Sequence, residues 1–349
     1  MTKTNPAHLY GKVFSGVPVF ATIILIVKFP MIHVLGIDGG GSKTVCVLMN
    51  AKGEILGRGQ SGPSNYQSIG IDTAKSNIIS AIKQAVDQSF LALEGLVKIQ
   101  GISLGLAGAG RAEDINLIRN LIKDIQTNPE LPIEWKLTPK NIIINSDSVI
   151  ALVGGLGHSV GIVVIAGTGS HIFGKNRQGI TKRVGGWGYI LGDEGSGYDI
   201  AIQGLKAALR SHDGRLESTN LIPQFQEVLK LNSIEELIPI IYRQGWGVKK
   251  IASLAPIVDQ AAAEGDPVAQ NIIKNAVNEL VLATEVAIKA LFEPTESFEI
   301  VVTGGVWQGL ANFRHQFEVK VNAIAPLANI ISPRHEPAYG AGLLALEKR

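Results

Sequence analysis

Two short glycine-rich runs carry residue types that hold phosphate groups, and each stands between two apolar segments. The first is Gly39-Gly40-Gly41-Ser42, followed by Lys43 and Thr44; the second is Gly167-Thr168-Gly169-Ser170. Glycines can turn a hairpin tightly enough for backbone N–H groups, and the hydroxyls of Ser42 and Thr44, to face a polyphosphate without a Cβ in the way. One such run is equally an ordinary tight hairpin. Two opposed copies form a clamp that one cannot, and the pair favours the phosphate reading. Familiar templates do not fit the first run. A P-loop needs glycine directly before lysine, whereas Ser42 separates Gly41 from Lys43. The dinucleotide fingerprint passes from strand to helix, and its third glycine position is Thr44 here.

Carboxylates end two apolar runs close to these loops. Asp38 would sit beside the phosphates, where a carboxylate is tolerated only across a cation, so its expected role is to hold Mg²⁺ through water. Asp147 closes the run Asn141 to Ser146 and precedes a helix expected near Val149. An aspartate there is a helix N-cap or, facing a cleft, an acceptor for the proton of an attacking hydroxyl. Glycine is densest in Gly185-Gly186-Trp187-Gly188-Tyr189 and in Gly192-Asp193-Glu194-Gly195-Ser196-Gly197. So much glycine costs folding entropy that a plain connector would not spend, so something small must approach this backbone. Trp187 would stack on it or pack in a core, Asp193 would accept its hydroxyls, and Ser196 would cap the next helix.

The elements that must position these residues follow one grammar, used twice. Apolar runs, a glycine loop and a turn read as strand, loop, strand, turn, strand from Ile32 to Gly59, and again from Gly161 to Val184. Helical periodicity follows, with Ile78, Ile82, Ala85 and Val86 on one face and Ile115, Ile118, Ile122 and Ile125 on another. Further helices are expected over Ser196–Leu209, Val248–Ala263 and Val268–Phe292, and a last strand, Phe298–Thr303, meets Gly304-Gly305. The pattern predicts a duplicated α/β protein of two lobes across a cleft, the first over 32–155 and the second over 156–337. The last helix, 338–349, is expected to pack back on the first lobe.

Composition excludes several classes. With 46% hydrophobic and 18% charged residues and a net charge of +2, the chain has neither a disordered character nor the basic stripe of a nucleic-acid binder. Cys46 is the single cysteine, and the seven histidines lack zinc-site spacing. Val13–Val27 is apolar but short for a spanning helix and contains Pro18. It lacks a clear signal cleavage site. The preferred reading is that Met31 is the start, or that residues 1–31 are an appended segment without catalytic role.

The ordered set GIDGGGSKT, GPSNY, INSD, AGTGS, GGWGYILGDEGSG and TGGVWQG resembles the BadF/BadG/BcrA/BcrD ATPase superfamily from Ile32 to the C-terminus, and within it the N-acetylglucosamine kinases. The resemblance implies duplicated ribonuclease H-like (actin-like ATPase) domains, with ATP and Mg²⁺ held between the lobes. It makes Gly39, Gly40, Gly41, Ser42 and Thr44 the first phosphate loop and Gly167, Thr168 and Gly169 the second. Gly304 and Gly305 would lie near the nucleoside. Asp147 becomes the base, and Asn65, Gly186 and Asp193 become sugar contacts, with Ser170, His171 and Trp187 beside them. His171 and Val184 depart from the pattern near the acetyl group, where an amide and a cysteine are expected, and so leave glucosamine and N-acetylmuramic acid as rival sugars. The same fold also serves as an ATPase that activates acyl-CoA dehydratases through an iron–sulfur cluster, and a sugar sensor without chemistry is a further reading. The expected protein is a cytoplasmic amino-sugar kinase without nucleic-acid or stable membrane partners, its homodimerisation left open.

Overall fold

The computed structural model describes residues 32–109, 112–243 and 245–348, with the side chain of Ala112 excepted. The readings placed on residues 1–31 lie outside the described residues. Six strands form the first sheet: β1 (His33–Gly39), β2 (Thr44–Asn50), β3 (Ile55–Ser61), β4 (Val97–Leu106), β5 (Ile133–Trp135) and β6 (Ile142–Ser146). Five form the second: β7 (Gly161–Ala166), β8 (Ser170–Lys175), β9 (Thr181–Gly185), β10 (Phe298–Thr303) and β11 (Ala328–Ile331). β1–β3 make an antiparallel meander, and β4 then joins β1 in parallel, with β6 parallel to β4. β7–β9 make the matching meander, β10 joins β7 in parallel, and β11 joins β10. The two sheets therefore share one strand order, as the repeated grammar predicts.

The helices are α1 (Tyr66–Ile69), α2 (Ile71–Gln88), α3 (Ala112–Gln126), α4 (Asp147–Leu156), α5 (Gly197–His212), α6 (Leu221–Leu229), α7 (Val248–Ala252), α8 (Ala255–Ala263), α9 (Pro267–Leu291), α10 (Phe313–Ile324) and α11 (Pro337–Glu347). The apolar stripe of α2, with Ile78, Ile82 and Val86, is fully buried in the core of the first sheet, as its spacing predicts. The single helix expected over 248–263 is instead two. Pro256 has no N–H to donate and its ring crowds the carbonyl of Ala252, where α7 stops. β6, the apolar run that leads to Asp147, is only half-buried. Among the described residues, no helix is long and apolar enough to cross a membrane.

The C-terminal helix is positioned by close backbone contact. A Cβ on Gly36, in the middle of β1, would stand 2.2 Å from the Ala338 carbonyl oxygen and 2.3 Å from the Gly342 nitrogen. Only a glycine lets α11 lie directly on β1, and that contact carries Glu336, the N-cap of α11, to the site described below. Gly36→Ala is therefore expected to cost about 1–3 kcal/mol through overpacking, read as a lower urea midpoint with an unchanged m-value.

Candidate functional site

The first glycine loop is a tight turn held from three sides. Gly40 donates its N–H to the Lys43 carbonyl at 3.0 Å, Ala107 donates to the Gly39 carbonyl at 2.9 Å, and Ser64 and Asn65 both donate to the Gly40 carbonyl at 3.0 and 3.2 Å. The N–H groups of Gly41 and Ser42 meet no acceptor among the described residues. The loop thus presents two adjacent donors, not the full set that its glycines suggest. Thr44 requires a correction. It is 0% exposed, and its hydroxyl donates to the Gly62 carbonyl and lies 2.7 Å from Ser64 Oγ. It braces the loop from behind and offers nothing to a phosphate.

The second loop is closed in the same way, Gly167 donating to the Gly169 carbonyl at 2.9 Å. The first turn of α5 then caps it, with N–H groups of Gly197 and Tyr198 on the carbonyls of Gly167 and Thr168 at 2.8 and 3.3 Å. Ser196 is the N-cap of α5 and accepts from Asp199 N–H, as its place in the sequence predicts. Gly304 has φ +115°, and a Cβ there would be 2.2 Å from the Ala166 carbonyl oxygen, so the end of β10 lies against the second loop only because this residue is glycine.

A cavity of about 1130 Å³ opens between the two sheets' loops. Asp38, Ser42, Gly167, Thr168, Gly304 and Gly305 line it together, although they come from three distant parts of the chain. Gly39, Gly40, Gly41 and Gly169 belong to the same loops without lining the cavity.

Half-buried carboxylates dominate the electrostatics. Burial pushes the Asp38 carboxyl up to about 7, the charges of Asp147 and Glu336 push the same way, and Lys43 opposes them. Asp147 is the first residue of α4 and not its N-cap; Ser146 holds that position without a side-chain cap bond, its hydroxyl pairing with that of Ser148. One carboxylate oxygen of Asp147 accepts the Ser148 N–H at 2.8 Å. Arg58 grips Glu336 through two parallel bonds of 2.9 Å each. Lys43, Arg58 and Glu336 were not among the residues singled out from sequence. Glu336-Pro337 at a helix start was the one available signal.

A second group of expected residues lies beside the cavity. Asp193 has a left-handed φ of +61°, uncommon for a residue with a side chain, and its carboxylate lies against the Gly169 backbone. Burial raises its pKa, and the Ser170 N–H partly restores the charge. Burial lowers the pKa of His171 and keeps its ring neutral, with Asp147 pulling the other way. Asp147 thus acts electrostatically on Asp38 and on His171, which joins the two groups. A Cβ on Gly186 would strike His171 and Arg183 at 2.8 Å. Ser170 is buried and donates its hydroxyl to the Glu194 carbonyl at 2.6 Å, so it fastens the 193–197 loop and does not present a free hydroxyl. Trp187 is 73% exposed, which removes the core-packing alternative, and the Arg183 guanidinium stands 5.8 Å from its ring centre. Asn65 caps α1 and is tied to Gly40 by its N–H. Cys46 is fully buried in β2, so its thiol cannot reach a cluster shared with another subunit.

This arrangement has relatives. The chain is 37% identical over 315 residues to the N-acetylmuramic acid/N-acetylglucosamine kinase of Clostridium acetobutylicum, covering 90% of this chain and 98% of that one. It is 33% identical over 324 residues to the N-acetyl-D-glucosamine kinase of Dictyostelium discoideum, again covering 90% and 98%. A solved Chromobacterium violaceum protein provisionally named N-acetylglucosamine kinase shares the fold, with a TM-score of 0.68 at 24% identity over 90% of this chain and 98% of that one. The sequence profile of the BadF/BadG/BcrA/BcrD ATPase family matches residues 35–345, and the chain belongs to that family.

Proposed function

We propose that the chain transfers the γ-phosphoryl group of ATP to the 6-hydroxyl of an amino sugar, with N-acetylglucosamine as the preferred acceptor. The observation that carries this reading is the one cavity lined by Asp38 and Ser42 from one sheet and by Thr168 and Gly304 from the other, with Asp147 opening α4 directly after β6. A base between a nucleotide compartment and an acceptor compartment is what in-line transfer needs. Asp147 takes the proton of the sugar hydroxyl as its oxygen bonds to the γ-phosphorus, the bond from that phosphorus to the bridging oxygen breaks, and ADP leaves. The free N–H groups of Gly41 and Ser42, with the Thr168 hydroxyl, stabilise the charge on the phosphoryl oxygens.

Asp38 fits Mg²⁺. Its half-buried carboxylate feels the like charges of Asp147 and Glu336, opposed by Lys43, and a divalent cation would supply the further compensation. When bound, the ion would neutralise phosphate charge and orient the polyphosphate. Asp193 and the neutral His171 ring are the polar groups available to the sugar. N-acetylmuramic acid is a second acceptor with its own support: the exposed Arg183 guanidinium, beside Gly186 and Trp187, suits a lactyl carboxylate.

Two measurements check this reading. In a panel of amino sugars with ATP and Mg²⁺, sugar-dependent ADP release is expected to be greatest with N-acetylglucosamine, and Asp147→Asn to lower kcat about 10²–10⁴-fold while sugar binding persists. Unchanged turnover would remove Asp147 from the mechanism. For Asp38 the sign follows from its raised pKa. Between its ordinary value of 3.8 and about 7 the fold holds a proton that the unfolded chain has lost, so the stability cost grows as pH rises through that window, is absent below it and is complete above it. Asp38→Asn is therefore expected to raise Tm by a few degrees at pH 8, with the gain largely lost at pH 4, and to abolish turnover at pH 8. Thermal melts at the two pH values decide it.

A further inference from the structure

The expected phosphate loops contain one lysine, Lys43, on the first sheet's side of the cavity. The second sheet's side also supplies a cation. Lys249, on α7, lines the same cavity, and its ammonium group donates to Ser42 Oγ at 3.1 Å, across the cavity and 207 positions along the chain. α7 is anchored by Ile251, which is buried, and Lys249 and Lys250 point apart. The Lys250 ammonium stands 4.2 Å over the Trp246 ring, so Lys249 alone of the pair reaches the first glycine loop.

The remaining charges in the cavity wall are already assigned. Glu336 is held by Arg58, and the Asp259 carboxylate accepts the N–H groups of Leu310 and Ala311. Lys249 forms no ion pair among the described residues. Its ammonium group carries three N–H donors, and Ser42 uses one. The other two remain at the place where the unpaired N–H groups of Gly41 and Ser42 are found. An exposed cation, positioned across a cavity by a neutral hydroxyl and next to two vacant backbone donors, matches an anionic ligand of several charges.

We infer that Lys249 is a nucleotide-binding residue that grips the polyphosphate from the second lobe against the first glycine loop. This deepens the kinase reading and rests on it. The contact places the cation at the phosphates and not at the nucleoside, so it distinguishes an adenine nucleotide from adenosine.

The test is calorimetric titration of the full chain and of Lys249→Ala and Lys249→Arg with ADP and with adenosine, alongside steady-state kinetics. Lys249→Ala is expected to weaken ADP binding about tenfold or more, the size of a lost charge-assisted contact, and to leave adenosine binding unchanged. The arginine variant retains ADP affinity within about threefold, and KM for ATP rises in the alanine variant while KM for the sugar holds. ADP affinity within twofold of the wild type in Lys249→Ala overturns the inference, as does an equal loss for ADP and adenosine, which marks a structural effect. A selective loss for ADP in a chain without sugar-dependent turnover supports the Lys249 site and overturns the kinase reading. No nucleotide binding by the wild type overturns both.

Discussion

The structure depends on a carboxylate placed where it is expensive to ionise. Asp38 stands half-buried near the end of β1, and Asp147 and Glu336 are brought towards it by the starts of α4 and α11. Solvation is lost and like charge is added, which is why its pKa rises to about 7. A fold selected for stability alone would place an amide or an aliphatic group there. The cost is local, carried by one carboxylate and its two like-charged neighbours and eased by Lys43.

Much of the architecture serves to hold that arrangement open and rigid. The glycine loops are closed by their own backbone hydrogen bonds, Gly40 to Lys43 and Gly167 to Gly169, and braced from behind by Thr44, Ser64 and the first turn of α5. Their N–H groups are therefore divided between structure and ligand: some close the turn, and Gly41 and Ser42 are left over. Donors fixed in this way need no reorganisation when charge develops, which gives preorganised sites their advantage over water. The 193–197 loop follows the same logic, with Ser170 fastening Glu194 and Ser196 capping α5, so that Asp193 stays in its left-handed conformation.

Two lobes built on one strand order place these groups on facing surfaces without any single element carrying the whole site. Asp38 and Ser42 come from one sheet and Thr168 and Gly304 from the other. Each loop is held by hydrogen bonds of its own, so its geometry does not depend on the loop it faces.

The strands, the duplication and the positions of both loops were legible from the sequence because they rest on local signals: alternating apolar runs, glycine clusters and helix periodicity. Asp38 and Asp147 also stand out in the sequence, since each lies at a strand end beside a loop. What the sequence could not show was which polar groups would be consumed internally. Thr44 and Ser170 have the same hydroxyl as Ser42 and Thr168, and only the fold turns the first pair inward to the Gly62 and Glu194 carbonyls. The break between α7 and α8 had a local cause in Pro256, but Lys249, Arg58 and Glu336 had none, because their partners lie 207 and 278 positions away. Local chemistry determined the elements and their loops; the long-range packing of α7 and α11 decided which charges meet.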